Sequence, residues 1–485
     1  MQSNIYEPVI GLEVHIQLLT QSKAFCGDDI SFGADANSQT STISLAHPGT
    51  LPRANKKQVE LAIRLGIALG CEINSTTYFD RKHYFYADLP KGFQTTQDSR
   101  PICMGGTIEV GEGTSRREIR IHHIHMEEDA GKSIHDQSSE GSLIDYNRAG
   151  VPLLELVTEP DLRSSEEVYQ FINKLRQLVR YLDVSDGNME EGSLRADCNV
   201  SIRPKGSSEL NTRCEIKNIN SARFASRAVD FEIRRQSEIL EKGGTIIQET
   251  REYSPGDDRT VPLRGKEEAH DYRYFPEPDL PPLSISDEML RKVESSLPVL
   301  PAQWHNKFTS EFGLSIYDAD LLVEHREIAQ SFDTLLQKSP DIQPSMLSKL
   351  YINKIIPHCN ESGISIGEFE VPGQHIVSFL ELIETDKIST SVAYQKLWPA
   401  LLETKEQPQL LAQKLNLIQS FDEDYIAESV KLVLIENPAK VEAYKKGKKA
   451  LLSFFIGQVM RKTNGKANPQ ITRKILQSEL NSSTD

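Results

Sequence analysis

The 485-residue sequence contains no run of about 18 apolar residues, so no membrane-spanning helix is expected. Its first residues, MQSNIYEPVIGLEVH, lack the basic stretch and apolar core of a secretory signal. Only six cysteines occur (Cys26, Cys71, Cys103, Cys198, Cys214, Cys359), and no two form a CxxC pair. The expectation is a reduced, cytoplasmic protein without a disulfide framework. No GxGxxG follows a strand-like run, and no GxSxG is present. No cysteine sits in an obvious nucleophile context, so covalent hydrolase chemistry is not indicated. HMEEDAGKS at 125–133 ends like a phosphate-binding loop, but that loop needs a glycine where Met126 stands. A nucleotide would have to be held in another way, and the role of Lys132 stays open.

Charge is uneven. The formal net charge is −15, yet Lys440 to Lys474 holds eight lysines and two arginines against one acid, Glu442. A basic module on an acidic body can bind a polyanion locally. A solvated lysine-rich helix is the plainer alternative.

Residues up to about 280 alternate strand-like runs with turns. VIGLEVHIQL, REIRIHHIHM, LLELVTEP, LRADCNVSIRP and TRCEIKNIN alternate with period two. Helices are expected over Lys56–Leu69, Ser165–Leu182 and Ser221–Lys242, the second opened by a Ser-Ser-Glu-Glu cap and the third closed by Gly243-Gly244. Six prolines between 276 and 301 mark a junction enclosing one short helix. Beyond it the pattern is helical, with a break at EQPQ; a late apolar helix is closed by Thr463-Asn464-Gly465. The pattern predicts an α+β body, 1–285, then a helical domain, 286–405, and an all-helical tail, 406–485.

The strands carry unusual polar faces. Glu13, His15 and Gln17 share one side of their strand and Leu12, Val14, Ile16 and Leu18 the other. Arg195, Asp197 and Asn199 share a face, as do Glu215 and Lys217, and His123, His125 and Glu127. A sheet with one face in water gives the same alternation. Solvated faces favour Lys, Thr, Ser and Glu, however, rather than His, Asn, Asp and Arg. Carboxylates from several strands suit a hard cation such as magnesium. Arg195 and Lys217 would then neutralise phosphates in a phosphoryl transfer. His122, His123 and His125 cannot all face one zinc from a single strand. FDRKHYFYADLPKGFQTTQ, 79–97, interleaves aromatics with Arg81, Lys82, His83 and Lys91, and HDYRYFPEPD, 270–279, is similar. That composition suits base stacking and phosphate contact, or a loop whose aromatics anchor in the core.

Nine segments in order, VIGLEVHIQL, FDRKHYFYADLPKGFQ, HMEEDAGKS, YNRAGVPLLELVTEPD, MEEGSLRADCNVS, EIKNINS, ETREY, DYRYFPEPDLPPL and GQVMRKTNGKANP, resemble those of the B subunit of aspartyl/glutamyl-tRNA amidotransferases. One such segment is weak; nine in order over nearly the whole chain are specific. The resemblance implies an antiparallel-sheet cradle related to the glutamine synthetase catalytic fold, and a tail that recognises tRNA. It implies a heterotrimer completed by the amidase (A) and a small third chain (C). ATP would phosphorylate the side-chain carboxylate of Glu-tRNA(Gln) or, in some members, Asp-tRNA(Asn), and ammonia channelled from the amidase would displace the phosphate. A bare carboxylate has no good leaving group, so this order of steps is chemically sensible, and it needs no protein nucleophile.

Carried onto this chain, the resemblance makes Glu13, Glu127 and Glu215 the magnesium ligands. Glu128 becomes a further ligand or a proton acceptor at the channel mouth. His15, Arg195, Asp197 and Lys217 are the expected catalytic groups, with Asn199, Arg81 and Asn218 at the ATP or aminoacyl end and Lys82 and Lys91 along the channel. Many members hold zinc with four cysteines in the segment that here reads FCGDDISFGADANSQTSTISLAHPG; only Cys26 stands there, so no zinc is expected. The competing readings are a stand-alone carboxylate–amine ligase, which leaves the basic tail unexplained, and a non-catalytic tRNA-binding scaffold.

Overall fold

The structure, a computed structural model, describes residues 5–111, 113–134, 141–263, 271–419, 423–463 and 465–481. His270, Asn464 and the side chain of Asn218 lie outside this description. By contact the chain forms two units, 1–301 and 302–485.

The first unit is built on a ten-stranded sheet. Its strands are β1 (Tyr6–Gln17), β2 (Glu72–Ile73), β5 (Cys103–Met104), β6 (Thr107–Val110), β7 (Arg117–Glu128), β8 (Pro152–Thr158), β9 (Leu194–Pro204), β10 (Cys214–Ile219), β11 (Thr250–Ser254) and β12 (Arg259–Pro262). A hairpin, β3 (Asp80–His83) with β4 (Phe93–Thr96), belongs to a separate small sheet. The large sheet runs β12–β11–β10–β9–β1–β8–β7–β5–β2, with β6 also on β7. Every pairing is antiparallel except β10 with β11. The architecture is mixed α+β with a dominantly antiparallel sheet.

Alternation decides which face is covered. Leu12, Val14 and Ile16 of β1, Ile124 and Met126 of β7, and Ala196, Cys198 and Val200 of β9 are buried in one continuous core. Three helices supply its other side: α1 (Lys56–Ala68), α2 (Ser165–Tyr181) and α3 (Ala222–Glu241). Asn55 caps α1 by accepting from Lys57 N, and Ser164 caps α2 by accepting from Glu167 N. A capped helix with apolar residues every three to four positions needs a surface to bury them, and the sheet provides it. The opposite face of the sheet is left to polar side chains.

HMEEDAGKS forms no phosphate loop. Gly131 N–H donates to Asp88 O at 2.8 Å. A Cβ at Gly131 would lie 2.9 Å from Asp145 O and 3.0 Å from Asp88 O, so the glycine serves close backbone approach. Lys132 is exposed and starts a short strand, Lys132–Ile134, paired with Leu143–Asp145.

The second unit is helical. Of three wide π-type turns among its described residues, Lys307–Glu311, Tyr351–Ile355 and Ala393–Leu397, the last two each end two residues before a proline, Pro357 and Pro399. Proline removes a backbone donor, and a widened turn accommodates the missing bond. Pro408–Lys414 buries Leu411 and Ala412, while Ile426, Val430, Val433, Tyr444, Phe455, Val459, Leu476 and Leu480 of the last four helices, with Ala467 between the final two, form a separate cluster.

Candidate active site

Strand register assembles the polar face. His15 lies opposite Arg195 of β9 on one side and Glu155 of β8 on the other. Glu155 in turn lies opposite His125 of β7. Glu13 is opposite Asp197, and Asn199 is opposite Glu215 of β10. Five strands therefore contribute one row of functional groups, because side chains in register on neighbouring strands point the same way.

At the centre, His15 Nε2 lies 3.3 Å from Glu155 Oε2 and 3.5 Å from Glu127 Oε1. His125 Nε2 lies 3.5 Å from Glu155 Oε2 and 3.6 Å from Glu127 Oε2. His15, Glu127 and Glu155 each offer a ligand atom, all within 4.8 Å of one another, the one such set among the described residues. Glu127 is 1% exposed, and its Oε2 accepts no hydrogen bond from the described residues. A buried carboxylate oxygen without a donor is costly unless a cation completes it. Two carboxylates and an imidazole converging on one another fit a divalent metal ion. Burial alone depresses the His15 imidazole, but the hydrogen bond and charge of Glu155, with Glu127, push it up to about 9. Burial would raise the Glu155 carboxyl, yet His125, His15 and Lys82 hold it well below the usual carboxylate range.

The flank of the face is acidic with interspersed cations. Asn199 Nδ2 donates to Glu13 Oε1 at 2.9 Å. Burial raises the Glu13 carboxyl, and Glu155, Glu215 and Asp197 raise it further. Lys217 Nζ lies 3.2 Å from Glu215 Oε1 and 4.0 Å from Asp197 Oδ2. Arg195 donates to Asp129 Oδ2 at 3.1 Å. Glu127 thus joins His15 and Glu155, whereas Glu13 and Glu215 stand beside that set, with Asp197 and Lys217.

Glu128 points away from this face. It pairs with Lys91 Nζ and accepts from Thr95 N at 2.8 Å. Both line a cavity of about 250 Å³ with Lys23, Phe25, Arg81, Phe93 and Thr95 among its walls. Arg81 makes a two-pronged bond to Glu277 (2.7 and 2.8 Å), reaches Asp279 at 3.1 Å, and stacks 4.2 Å from the Phe93 centroid. Lys82, one residue on, turns the other way. Its Nζ lies 4.8 Å from the Tyr272 ring, and its charge acts on Glu155. The β3–β4 hairpin is a wall between two spaces, with Arg81 and Thr95 on the cavity side and Lys82 and Gln94 on the other, as their register pairs them.

Sequence reasoning missed Glu155. LLELVTEP reads as an alternating strand without a role for its acid, yet that alternation carries the signal: Leu154 and Leu156 are in the core, so Glu155 must face the polar side. For zinc, the donors do not fit. Cys26 stands alone in its segment, and Asp28, its hydrogen-bonding neighbour, already accepts from Ser41 N (2.9 Å) and Ser44 Oγ (2.5 Å). One thiol cannot make a tetrahedral thiolate site.

The family model described as the GatB/GatE catalytic domain matches residues 8–291, and the one described as the GatB domain matches 330–480. The chain belongs to the family of amidotransferase B subunits. The B subunit of the aspartyl/glutamyl-tRNA(Asn/Gln) amidotransferase of Thermoanaerobacter sp. (strain X514) is 46% identical over 98% of this chain and 99% of its own length. Those of Nitratidesulfovibrio vulgaris (strain Hildenborough) and Persephonella marina are each 44% identical, at the same coverage. The catalytic-domain match spans the whole polar face, from Glu13 to Lys217, and the cavity with Glu128.

Proposed function

We propose that this family member activates the side-chain carboxylate of Glu-tRNA(Gln) or Asp-tRNA(Asn) with ATP, and that ammonia from a partner amidase then forms the amide. The observation that carries this reading is the buried Glu127, whose carboxylate meets His15 and Glu155 and keeps one oxygen unbonded, in a chain related end to end to amidotransferase B subunits. His15, Glu127 and Glu155 would hold magnesium. Bound there, the ion supplies charge neutralisation for the phosphates.

The remaining roles fall to this chain's own groups. Glu13 and Glu215 are the ligands for a cation that ATP itself brings; the crowding that raises Glu13 is relieved by a positive charge. Arg195 and Lys217 offset phosphate charge, and Asp197 orients Lys217. Asn199 and Asn218 contact ATP or the aminoacyl end; Arg81, expected there from the sequence, is held by Glu277 on the cavity side and lines that space instead. Glu128 and Lys91 form a proton-holding pair in the cavity, on the route by which ammonia arrives, and Lys82 lines its exit. Ammonia attacks only when unprotonated, so a paired carboxylate on that route can take up its proton.

The body is proposed as a cradle of the glutamine synthetase type (1–285), followed by a helical domain (286–405) and a tRNA-binding tail (406–485). The amidase (A) and the small third chain (C) complete a cytoplasmic heterotrimer. The test is phosphate release by the purified complex, with and without each charged tRNA. Release that depends on one of them supports the reading and names the substrate. Release without tRNA would favour a stand-alone ligase, and no release a scaffold.

A further inference from the structure

We propose that Gln58, Gln94 and Gln97 are positioning residues that fix the end of β7, so that Glu127 and Glu128 serve the two separate spaces. The outer edge of β7 is paired by β5 only at His123 and Ile124. Three successive residues beyond that point each have one backbone group held by a buried glutamine. Met126 N–H donates to Gln97 Oε1 at 3.0 Å. The Glu127 carbonyl accepts from Gln58 Nε2 at 2.9 Å. The Glu128 carbonyl accepts from Gln94 Nε2 at 2.8 Å.

The three amides come from different elements: Gln58 from α1, Gln94 from β4, and Gln97 from just beyond it. They are 1%, 7% and 2% exposed. Burying an amide costs free energy unless it is bonded. Each is bonded, and the bonds converge on one short stretch of backbone. Gln58 also donates to the Leu153 carbonyl at 3.3 Å, and Leu153 is the register partner of Glu127. One side chain therefore ties together the strand bearing Glu127 and the strand bearing Glu155, two of the three candidate metal ligands. Gln97 is itself pinned, donating to Thr77 Oγ1 at 2.6 Å and accepting from Ile102 N at 3.2 Å.

The physical need is parity. Neighbouring strand residues face opposite sides, so losing the hold at Glu127 would withdraw that carboxylate from His15, and losing the hold at Glu128 would withdraw the other from Lys91. Groups that orient metal ligands are worth roughly 10- to 100-fold in metal affinity.

The inference rests on the metal reading above, and the experiment separates the two. Mn²⁺ binding to the purified complex is titrated by electron paramagnetic resonance, alongside the amide formed per ATP consumed. Gln58→Met, which keeps volume and removes the donor, is expected to weaken Mn²⁺ binding roughly 10- to 100-fold. Gln94→Met is expected to leave Mn²⁺ affinity at the wild-type value and to lower amide per ATP, because it acts through Glu128. Gln97→Met, which frees the backbone before both carboxylates, should move both readouts, and it stands in if Gln58→Met does not fold. Wild-type Mn²⁺ affinity in both Gln58→Met and Gln97→Met, with or without a fall in melting temperature, overturns the proposal. Absence of Mn²⁺ binding by the wild type overturns the metal reading instead.

Discussion

Glu127 and Glu128 are adjacent in sequence and face opposite sides of one strand: Glu127 lies 3.5 Å from His15 Nε2, while Glu128 accepts from Thr95 N in a separate cavity. Their substitutions should therefore differ in kind. Glu127→Gln is expected to abolish Mn²⁺ binding and tRNA-dependent ATP consumption together. Glu128→Gln should keep both and lower amide formation by roughly 100-fold, the lower range for a proton-transfer group. Analysis of the amino acid released when the tRNA is deacylated reads the amide, and equal loss of ATP consumption in the two variants contradicts the division.

Glu155 makes a sharper test, because register alone brings it to the site. Glu155→Gln leaves the shape unchanged and removes a charge from the His15–Glu127–Glu155 set. Mn²⁺ affinity should fall by more than roughly tenfold. An unchanged titration would remove Glu155 from the metal site.

The sequence made the faces legible and the assembly not. Period-two alternation in β1, β7 and β9 was enough to sort Leu12 from Glu13 and Met126 from Glu127, because successive side chains of a strand take opposite faces. Caps at Ser164 and a glycine pair at 243–244 bounded the helices. Pairing order is different in nature. That β1 lies between β8 and β9, bringing His15 between Glu155 and Arg195, depends on contacts between segments far apart in the chain. Arg81 shows the same limit, since its partner Glu277 lies 196 positions away. A lone acid among leucines, as in LLELVT, gives no local sign of the histidines it will meet.

Acid sensitivity should trace to a cluster away from the site. Glu232 on α3 is fully buried and accepts from Arg235 (2.6 and 3.0 Å) and Gln236 (2.8 Å). Burial works to raise its carboxyl, but these bonds, with the Arg251 charge, hold it below the ordinary value. The unfolded chain then binds the proton more readily, so the contribution is complete above about pH 4.3 and is lost as pH falls through the lower folded value. Urea unfolding of the wild type should weaken across that window. Glu232→Gln should lose less at pH 7 than the roughly 3–5 kcal/mol of a fully broken buried pair, because Glu249 still pairs Arg235 (3.3 Å) and Arg251 (2.6 Å), and show a flatter acid limb. A Glu232→Gln variant with wild-type stability at neutral pH would refute this.

The basic tail should govern tRNA affinity. Truncation before residue 423 removes the last apolar cluster and spares the buried Leu411 and Ala412. KM for charged tRNA should rise and its dependence on salt should flatten, as phosphate contacts are lost. Glutaminase activity of the complex should survive. An unchanged KM would assign the lysines to solvent.

Elemental analysis of the purified protein should find no stoichiometric zinc. Asp28→Ala should instead loosen the segment around Cys26, read as faster proteolysis between residues 26 and 50, since Asp28 gathers the Ser41 and Ser44 bonds.

The β3–β4 hairpin gives its register a chemical meaning. Arg81 and Lys82 are consecutive, so no rigid displacement can move one without the other. A slip of one residue would turn the guanidinium of Arg81 toward the carboxylates of Glu127 and Glu155, and swing the ammonium of Lys82 in among Lys91 and Glu277. The register of β3 is therefore under the same constraint as the reactive groups themselves, and a one-residue shift of it would exchange the cations of two chemistries without altering either active residue.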